Sequence, residues 1–143
     1  MSDAAHTRAL VQDVFAALHD HDLVQVEALL HEDATLTDAA TGKTYRGPDA
    51  IVETMRPVLA AFPDLTPEII NLVVEGTQAV AEVVRTGTHT EPLSLPDGEL
   101  APTGKEVELP ECLVLRMKDE KVAAITAYTD RLVLREQLGL IET

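Results

Sequence analysis

The most informative stretch of the sequence is Thr126-Ala-Tyr-Thr-Asp-Arg-Leu-Val-Leu-Arg-Glu-Gln-Leu-Gly-Leu-Ile141. It reads as the end of an apolar strand that carries one carboxylate, Asp130, to the start of a short helix over Leu132 to Leu138. A carboxylate on an apolar strand needs a reason, because burying a charge is costly unless the charge is paired. Asp130 is therefore either a functional group or, in the simpler interpretation, the N-cap of that helix.

Composition and charge narrow the possible classes of protein. The chain has 143 residues and no linker-like or repetitive tract, which predicts one domain over residues 1–143. Its formal net charge of −14, from 25 acidic and 11 basic residues, repels nucleic acid and anionic membrane surfaces. No apolar run approaches the ~20 residues of a membrane span and no signal-peptide pattern is seen, so a cytoplasmic location is expected. The single cysteine, Cys112, excludes an internal disulfide and a cysteine-based metal cluster.

The first half of the chain reads mainly as helices. Apolar residues recur at helical spacing from Thr7 to Leu18, and a second, short helix follows. A strand over Ala34 to Asp38 and the segment Thr44 to Arg46 form a predicted hairpin. Pro48 suits the first turn of a third helix, whose interior Pro57 is expected to bend it or to move its boundary.

The second half reads as two antiparallel hairpins. β-Branched residues are frequent in Ile69 to Glu75 and Ala79 to His89, and again in Val107 to Met117 and Val122 to Asp130. Between the hairpins lies a polar loop with three prolines, Thr90 to Gly104. Helices that precede an antiparallel sheet predict the α+β class.

Five short segments carry a resemblance to a known family. They are Arg46-Gly-Pro-Asp-Ala-Ile51, Ala61-Phe-Pro-Asp-Leu65, Gly87-Thr-His-Thr90, Pro102-Thr-Gly-Lys105, and Tyr128-Thr-Asp-Arg131 leading to Gln137-Leu-Gly139. In this order, and spread over nearly the whole chain, they resemble the SnoaL-like polyketide cyclases of the NTF2-like superfamily. Their joint order is more specific for the family than for any one reaction.

The resemblance implies both a fold and a chemistry. The fold is an NTF2-like cone, in which N-terminal helices wrap a curved antiparallel sheet and a short C-terminal helix follows. Such proteins usually form homodimers through the outer face of the sheet and hold a small hydrophobic, ketone or ester ligand against the inner face. In the cyclases, an aspartate that matches Asp130 is the acid/base of an intramolecular aldol closure, with no metal and no organic cofactor. An apolar pocket would suit Asp130 to that role.

Strand alternation selects the side chains that could join Asp130. Tyr128 shares its face of the strand, so the hydroxyl could orient a substrate oxygen; the alternative is a buried tyrosine bonded to backbone. Arg85 and His89 share a face of the neighbouring long strand. His89 is either a proton relay or a structural residue that ties down the following loop. Arg85 is either a partner for an anionic substrate or, more simply, half of a salt bridge.

Asp38 and the aromatic residues complete the candidates. Asp38 lies where ketosteroid isomerase relatives carry their base, but its surroundings depart from their pattern and a turn-capping role explains it. The chain has no Trp, and Phe15, Tyr45 and Tyr128 are the aromatic residues expected to contact a ligand. This small number of aromatics favours a small or aliphatic substrate over a large flat one.

Three functions from different classes follow. The first is a cofactor-free cyclase or lyase that uses Asp130. The second is an isomerase, or an epoxide hydrolase that pairs two carboxylates with an arginine, for which Asp130, Asp38 and Arg85 supply the residue types. The third is a non-catalytic protein that binds a small molecule, since a fold does not fix a function.

Overall fold

The helices begin where the sequence provides caps. The computed structural model describes residues 2–96 and 98–141. Within these ranges the helices are α1 (Asp3–His19), α2 (Leu23–Leu29), α3 (Pro48–Ala61) and α4 (Arg131–Gln137). The side chains of Ser2 and Asp22 accept backbone N–H groups of the first turns of α1 and α2, which fixes where each helix begins. α3 runs through Pro57 to Ala61, so this proline does not end the helix.

The strands form one large sheet and one small one. They are β1 (Leu30–Asp38), β2 (Thr44–Arg46), β3 (Thr66–Glu75), β4 (Gln78–Thr88), β5 (Leu93–Leu95), β6 (Gly98–Leu100), β7 (Glu106–Lys118) and β8 (Lys121–Thr129). Six of them make a sheet in the order β2-β1-β8-β7-β4-β3, while β5 pairs with β6. The small β5–β6 sheet lies in the segment that the sequence predicts to be a polar loop.

One strand pair departs from the antiparallel pattern. β1 runs parallel to β8, whereas the other neighbouring strands of the large sheet are antiparallel. The register joins Leu36 to Ile125 and Asp38 to Ala127. Hairpin turns are visible in a sequence, but this pairing joins distant segments and no turn signal indicates it. The α+β class is confirmed, with a sheet that is antiparallel except at this pair.

Tight turns fix the register of the two long hairpins. β7 and β8 are joined through Asp119 and Glu120, whose positive φ values of 52° and 63° are those of a type I′ turn. Gly76, at φ 57°, turns β3 into β4. The pairing of β4 with β7 then continues without a bulge along both strands. This register decides which side chains meet on the inner face of the sheet.

Two apolar clusters cover the inner face of the sheet. The large cluster joins α1, α2 and α3 to the sheet; its buried members are Leu10, Val11, Val14, Phe15, Ala17, Val26, Leu30, Ala34, Ile51, Val52, Ala79, Ala81, Val83, Leu113, Leu115, Met117, Val122 and Ile125. The small cluster lies toward α4 and β5; its buried members are Ala61, Phe62, Leu65, Leu93, Val107, Leu109 and Leu138. The core is therefore divided along β4 and β7.

Three of the short segments of the sequence meet in the small cluster. The ring of Phe62 packs on the ring of His89, with the centroids 5.3 Å apart. Nδ1 of His89 accepts the backbone N–H of Thr103 at 3.1 Å and lies 3.0 Å from the Thr103 hydroxyl. The N–H of Thr88 donates to Oδ1 of Asp64 at 2.7 Å. These contacts tie the end of α3, the end of β4 and the segment before β7 into one unit.

We expect His89→Phe to lower the free energy of unfolding by about 1–3 kcal/mol, because the backbone N–H of Thr103 loses its acceptor. The new ring would still pack on Phe62, so the change isolates the hydrogen bond. Urea unfolding followed by circular dichroism measures the effect, with His19→Phe as the control at an exposed histidine. An unchanged unfolding midpoint in His89→Phe would contradict a structural role for His89.

Candidate functional site

Tyr128 and Asp130 lie on the outer face of the sheet. Ile125 and Ala127 pack into the large cluster, so strand alternation turns Tyr128 away from it and leaves the residue 53% exposed. Asp130 is exposed, and its Oδ1 accepts the N–H of Val133 at 3.1 Å as the N-cap of α4. Asp130 thus makes the contact of its simpler interpretation, and neither side chain faces the apolar clusters of the inner face.

Both residues border an open depression at this end of the sheet. Its walls come from β3, β4, β7 and the end of β8: Ile70, Glu82, Val83, Val84, Pro110, Glu111, Cys112, Tyr128, Thr129 and Asp130. Water reaches a carboxylate in such a place, so the depression does not provide the apolar surroundings expected of an acid/base group. Its geometry suits a contact surface better than a proton-transfer site.

His89 is buried in the small cluster. The residue has no exposed surface, and its Nδ1 is occupied by Thr103. Its backbone N–H donates to the carbonyl of Lys105, and its carbonyl accepts the N–H of Gly104. Nε2 is buried and has no hydrogen-bond partner in the described part of the chain. Of its two predicted roles, these contacts favour the structural one, in which His89 ties down the segment after β4.

A charged pair interrupts the inner face between the two clusters. Nη2 of Arg85 donates to Oε2 of Glu111 over 2.6 Å, and the two side chains are 30% and 11% exposed. Arg85 thus forms a salt bridge, which is one of the two roles that the sequence suggested for it. Its Nε is buried and finds no hydrogen-bond partner among residues 2–96 and 98–141.

The alternation of β4 and β7 explains where the pair lies. Apolar residues flank it on the same face: Val83 on β4, and Leu109 and Leu113 on β7. Val83 lies opposite Glu111, so Arg85 is the diagonal neighbour of Glu111 across the two strands. Charges at inward positions are costly unless they are paired, and the register supplies the pairing.

Further polar groups extend from this pair toward the edge of the sheet. Thr129 is half-buried and lies opposite Glu111. Oδ2 of Asp38 pairs with Nη2 of Arg131, while its Oδ1 accepts the N–H of Ala40 at 2.9 Å, which is the predicted turn-capping contact. We call this set the polar band: Arg85, Glu111, Thr129, Asp38 and Arg131.

Phe15 and Tyr45, the other two aromatic candidates, belong to the packing of the large cluster. Phe15 is a buried member of the large cluster, and Tyr45 packs against that cluster from β2. The ring of Tyr45 is also covered by Nζ of Lys43, 4.9 Å from the ring centroid. Both aromatic side chains therefore contribute mainly to the packing of the core.

Three members of the polar band, Glu111, Thr129 and Arg131, are missed by sequence reasoning. Glu111 carries a signal that could have found it, because it stands in an inward row of β7 whose other members include Val107, Leu109 and Leu113. Arg131 carries none, because it pairs with Asp38, 93 residues earlier in the chain. A contact over that separation depends on the parallel β1–β8 pair.

Two carboxyl groups outside the polar band have shifted pKa values. The N–H of Thr88 donates to Asp64 and holds the pKa of that carboxyl below its ordinary value of 3.8. A hydrogen bond between Glu27 and Asp49 raises the pKa of Glu27 above its ordinary value. Asp64 anchors a loop, and Glu27 and Asp49 lie on α2 and α3, so both shifts belong to contacts outside the polar band.

Metal centres and membrane-spanning helices are not seen in the described ranges. No three His, Cys, Asp or Glu side chains of residues 2–96 and 98–141 group as ligands for a metal ion. No helix within those ranges is long and apolar enough to cross a bilayer.

Comparison of the sequence with known families gives one assignment. The profile of the family described as SnoaL-like domain matches residues 11–125. No curated protein sequence matches the chain.

Solved structures share the whole fold. AclR from Streptomyces galilaeus, provisionally described as a hydroxylase, superposes with a TM-score of 0.85 at 24% identity, over 98% of this chain and 85% of AclR. A protein from Jannaschia sp. CCS1, provisionally assigned as a SnoaL-like polyketide cyclase, gives 0.84 at 18% identity, over 97% and 95%. TerC, co-crystallised with polyporic acid, gives 0.71 at 15% identity, over 94% and 98%. These likenesses confirm the NTF2-like fold and, at such identities, the fold alone.

Proposed function

Because the chain belongs to the SnoaL-like domain family, we propose that it is a cofactor-free enzyme of the polyketide or ester cyclase type, which moves a proton on a small ketone or ester. One observation carries the proposal: the Arg85–Glu111 pair stands in the gap between two apolar clusters. A charged pair held in such a place is a candidate for function, because well-packed apolar residues would fill it at lower cost.

Glu111 is the group that we assign to proton transfer. Its carboxylate accepts a proton from the carbon next to a carbonyl, and the electron pair of the broken C–H bond moves onto the carbonyl oxygen. The resulting enolate carbon forms a bond to a second carbonyl carbon of the same molecule. Glu111 then returns the proton to the new alkoxide oxygen, so the reaction needs no oxidant or reductant.

The surroundings of the pair support a small-molecule site. Arg85 is partly exposed, so a ligand can reach the pair from solvent. Val83, Leu109 and Leu113 place apolar side chains next to it on the same face. The co-crystal of TerC with polyporic acid supports the view that proteins of this fold bind small organic molecules.

Asp130 is the competing candidate for the acid/base group. The resemblance to the cyclases carries this assignment, because Asp130 matches their aspartate. Its exposure and its bond to the Val133 N–H weigh against it. Glu111 and Asp130 both border the open depression, so the two assignments differ in which carboxylate takes the proton.

Two further functions use the same polar band. Its two carboxylates and two arginines are the residue types with which an epoxide hydrolase or isomerase would activate water or a carbon acid. Their mutual pairing, Arg85 with Glu111 and Asp38 with Arg131, also suits a protein that orients a ligand without turning it over. The deuterium experiment below separates enzyme from binding protein.

We also propose a homodimer formed through the outer face of the sheet. Val73, Val80 and Val114 lie side by side across β3, β4 and β7 and are 55%, 37% and 38% exposed. Tyr128 adds an aromatic ring to the same face. A row of exposed apolar side chains is typical of a protein–protein contact, and the resemblance implies a second copy of the chain as the partner.

Glu111→Gln is expected to abolish proton transfer while preserving the fold. The amide keeps the size of the side chain and can still accept a hydrogen bond from Arg85, but it no longer provides a carboxylate base. The measurement is deuterium incorporation in D₂O next to the carbonyl of 1-tetralone and of ethyl levulinate, followed by NMR. We expect a loss of about 10²–10⁴-fold in the rate.

Two matched variants serve as controls for Glu111→Gln. Glu106→Gln changes an exposed glutamate on the same strand and should keep the wild-type rate. Asp130→Asn should also keep it. Loss of exchange in Asp130→Asn with a normal rate in Glu111→Gln would move the acid/base role to Asp130. If the wild type binds both probes but catalyses no exchange, the protein is a binding protein and not an enzyme.

Val114→Glu is expected to convert the dimer into monomers, because it buries an unpaired charge in the centre of the contact. Analytical ultracentrifugation measures the mass. Val24→Glu, at a residue of α2 that is 81% exposed, is the control and should remain dimeric. A wild-type chain that sediments as a monomer of 15.5 kDa would contradict the dimer.

A further inference from the structure

We infer that the open depression beside Tyr128 and Asp130 is completed by a second copy of the chain, which contributes Arg116 to it. This arrangement rests on the homodimer and the enzyme site of the proposed function. It adds to them an orientation of the two copies and a residue that each copy supplies to the site of the other. The order of charges along the outer face of the sheet carries it.

The outer face has opposite charges on the two sides of a row of apolar side chains. We call this row the valine row: Val73, Val80 and Val114. Two residues beyond the row on β7 comes Arg116, which is exposed. Two residues before the row comes Cys112, which lies between Glu82 on β4 and Tyr128 on β8. Along the strands the face thus passes from a cation, through apolar side chains, to a carboxylate.

Two sheets that stack as a two-fold dimer can be oriented in two ways. The axis lies between the sheets and runs either along the strands or across them. An axis along the strands brings equal rows together, so Arg116 lies near its own copy and Glu82 near its own copy. An axis across the strands, through the valine row, exchanges the ends and places Arg116 over Cys112 of the second copy, beside Glu82 of that copy.

The charges select the axis across the strands. Like charges held together at an interface lower the affinity, whereas this orientation brings Arg116 to Glu82 twice, once on each side of the axis. Glu75, an acid on β3 at the same end as Arg116, then faces the amide of Asn71 in the second copy and not a carboxylate. The valine row forms the apolar centre of the contact, and the charges form its rim.

The same orientation covers the depression. Its volume is about 450 Å³, which is enough for a small organic molecule. Its lining includes three carboxylates, those of Glu82, Glu111 and Asp130, and no lysine or arginine among the described residues. Cys112 is also in the lining, so a side chain that lies over Cys112 lies over the opening. Arg116 of the second copy therefore brings a positive charge to an acidic depression.

Coverage by a second copy changes the surroundings of the proposed acid/base group. In a single chain water reaches the depression, and its carboxylates are solvated. The second copy displaces part of this water. A guanidinium has five N–H donors, so Arg116 can pair with Glu82 and still donate to the carbonyl oxygen of a substrate. That oxygen gains negative charge when the proton is removed, which strengthens the hydrogen bond.

Exchange of the two charges tests the orientation. Within one chain Glu82 lies opposite Cys112, four residues from Arg116, so the two positions are roughly 14 Å apart and do not pair. Arg116→Glu and Glu82→Arg should each raise the dimer dissociation constant by about 10–100-fold, because the new charge meets a like charge in the second copy. The double variant Arg116→Glu/Glu82→Arg should regain the wild-type constant. Analytical ultracentrifugation measures it, and Arg8→Glu, at an exposed arginine of α1, controls for net charge.

The single cysteine of the chain tests whether the depression is covered. Cys112 is half-buried in one chain and lines the depression. N-ethylmaleimide should alkylate it at least ~10-fold more slowly in the wild-type dimer than in Arg116→Glu at a concentration where that variant is monomeric. The double variant should again react slowly. Circular dichroism checks that each variant is folded.

The outcomes for the shared site and for the enzyme can be told apart. A dissociation constant unchanged in Arg116→Glu, a double variant no tighter than the single ones, or equal alkylation of Cys112 in dimer and monomer overturns the inference. Deuterium exchange at the wild-type rate in monomeric Arg116→Glu also overturns it, because one chain then forms the whole site, while the proposed enzyme stands. A wild type without exchange, in which the charge exchange restores both the dimer and the protection of Cys112, supports the covered site and removes the enzyme.

Discussion

The ion pair between Arg85 and Glu111 is the constraint around which the inner face of the sheet is arranged. It holds two charges in rows of side chains that are otherwise apolar, and each charge would be costly there alone. A shift of one residue between β4 and β7 would turn one partner to the other face, so the pair and the register require each other. The division of the core into a large and a small cluster follows from the position of this pair.

Three of the five segments that carry the family resemblance meet in the small cluster. Phe62 packs on His89, and His89 accepts from Thr103. Gly87 has no side chain because a Cβ there would lie 3.2 Å from Cα of Leu65 and 3.2 Å from Oδ1 of Asp64. These residues close one end of the sheet, so the contacts that they make serve folding. Residues that could act on a ligand are carried by other positions, which explains why the resemblance identifies the fold better than the site.

Local signals in the sequence predict the fold. They do not predict the site, because its contacts join residues that are far apart in the chain. Helical spacing in Thr7 to Leu18, the turns at Gly76 and at Asp119–Glu120, and the capping role of Asp130 are all encoded within a few residues. Alternation correctly groups Tyr128 with Asp130 but does not say which face is covered, because that depends on helices elsewhere in the chain. The Arg85–Glu111 and Asp38–Arg131 contacts depend on strand pairing over 26 and 93 residues, which no local pattern encodes.

The central claim is that the Arg85–Glu111 pair serves a ligand and not the stability of the fold. Urea unfolding of the double variant Arg85→Met/Glu111→Leu tests it most directly, since both charges are replaced by apolar groups of similar size. The account predicts a free energy of unfolding equal to that of the wild type or higher by about 1–4 kcal/mol, as for other buried pairs replaced in this way. A double variant clearly less stable than the wild type would show that the pair is structural and would contradict the account.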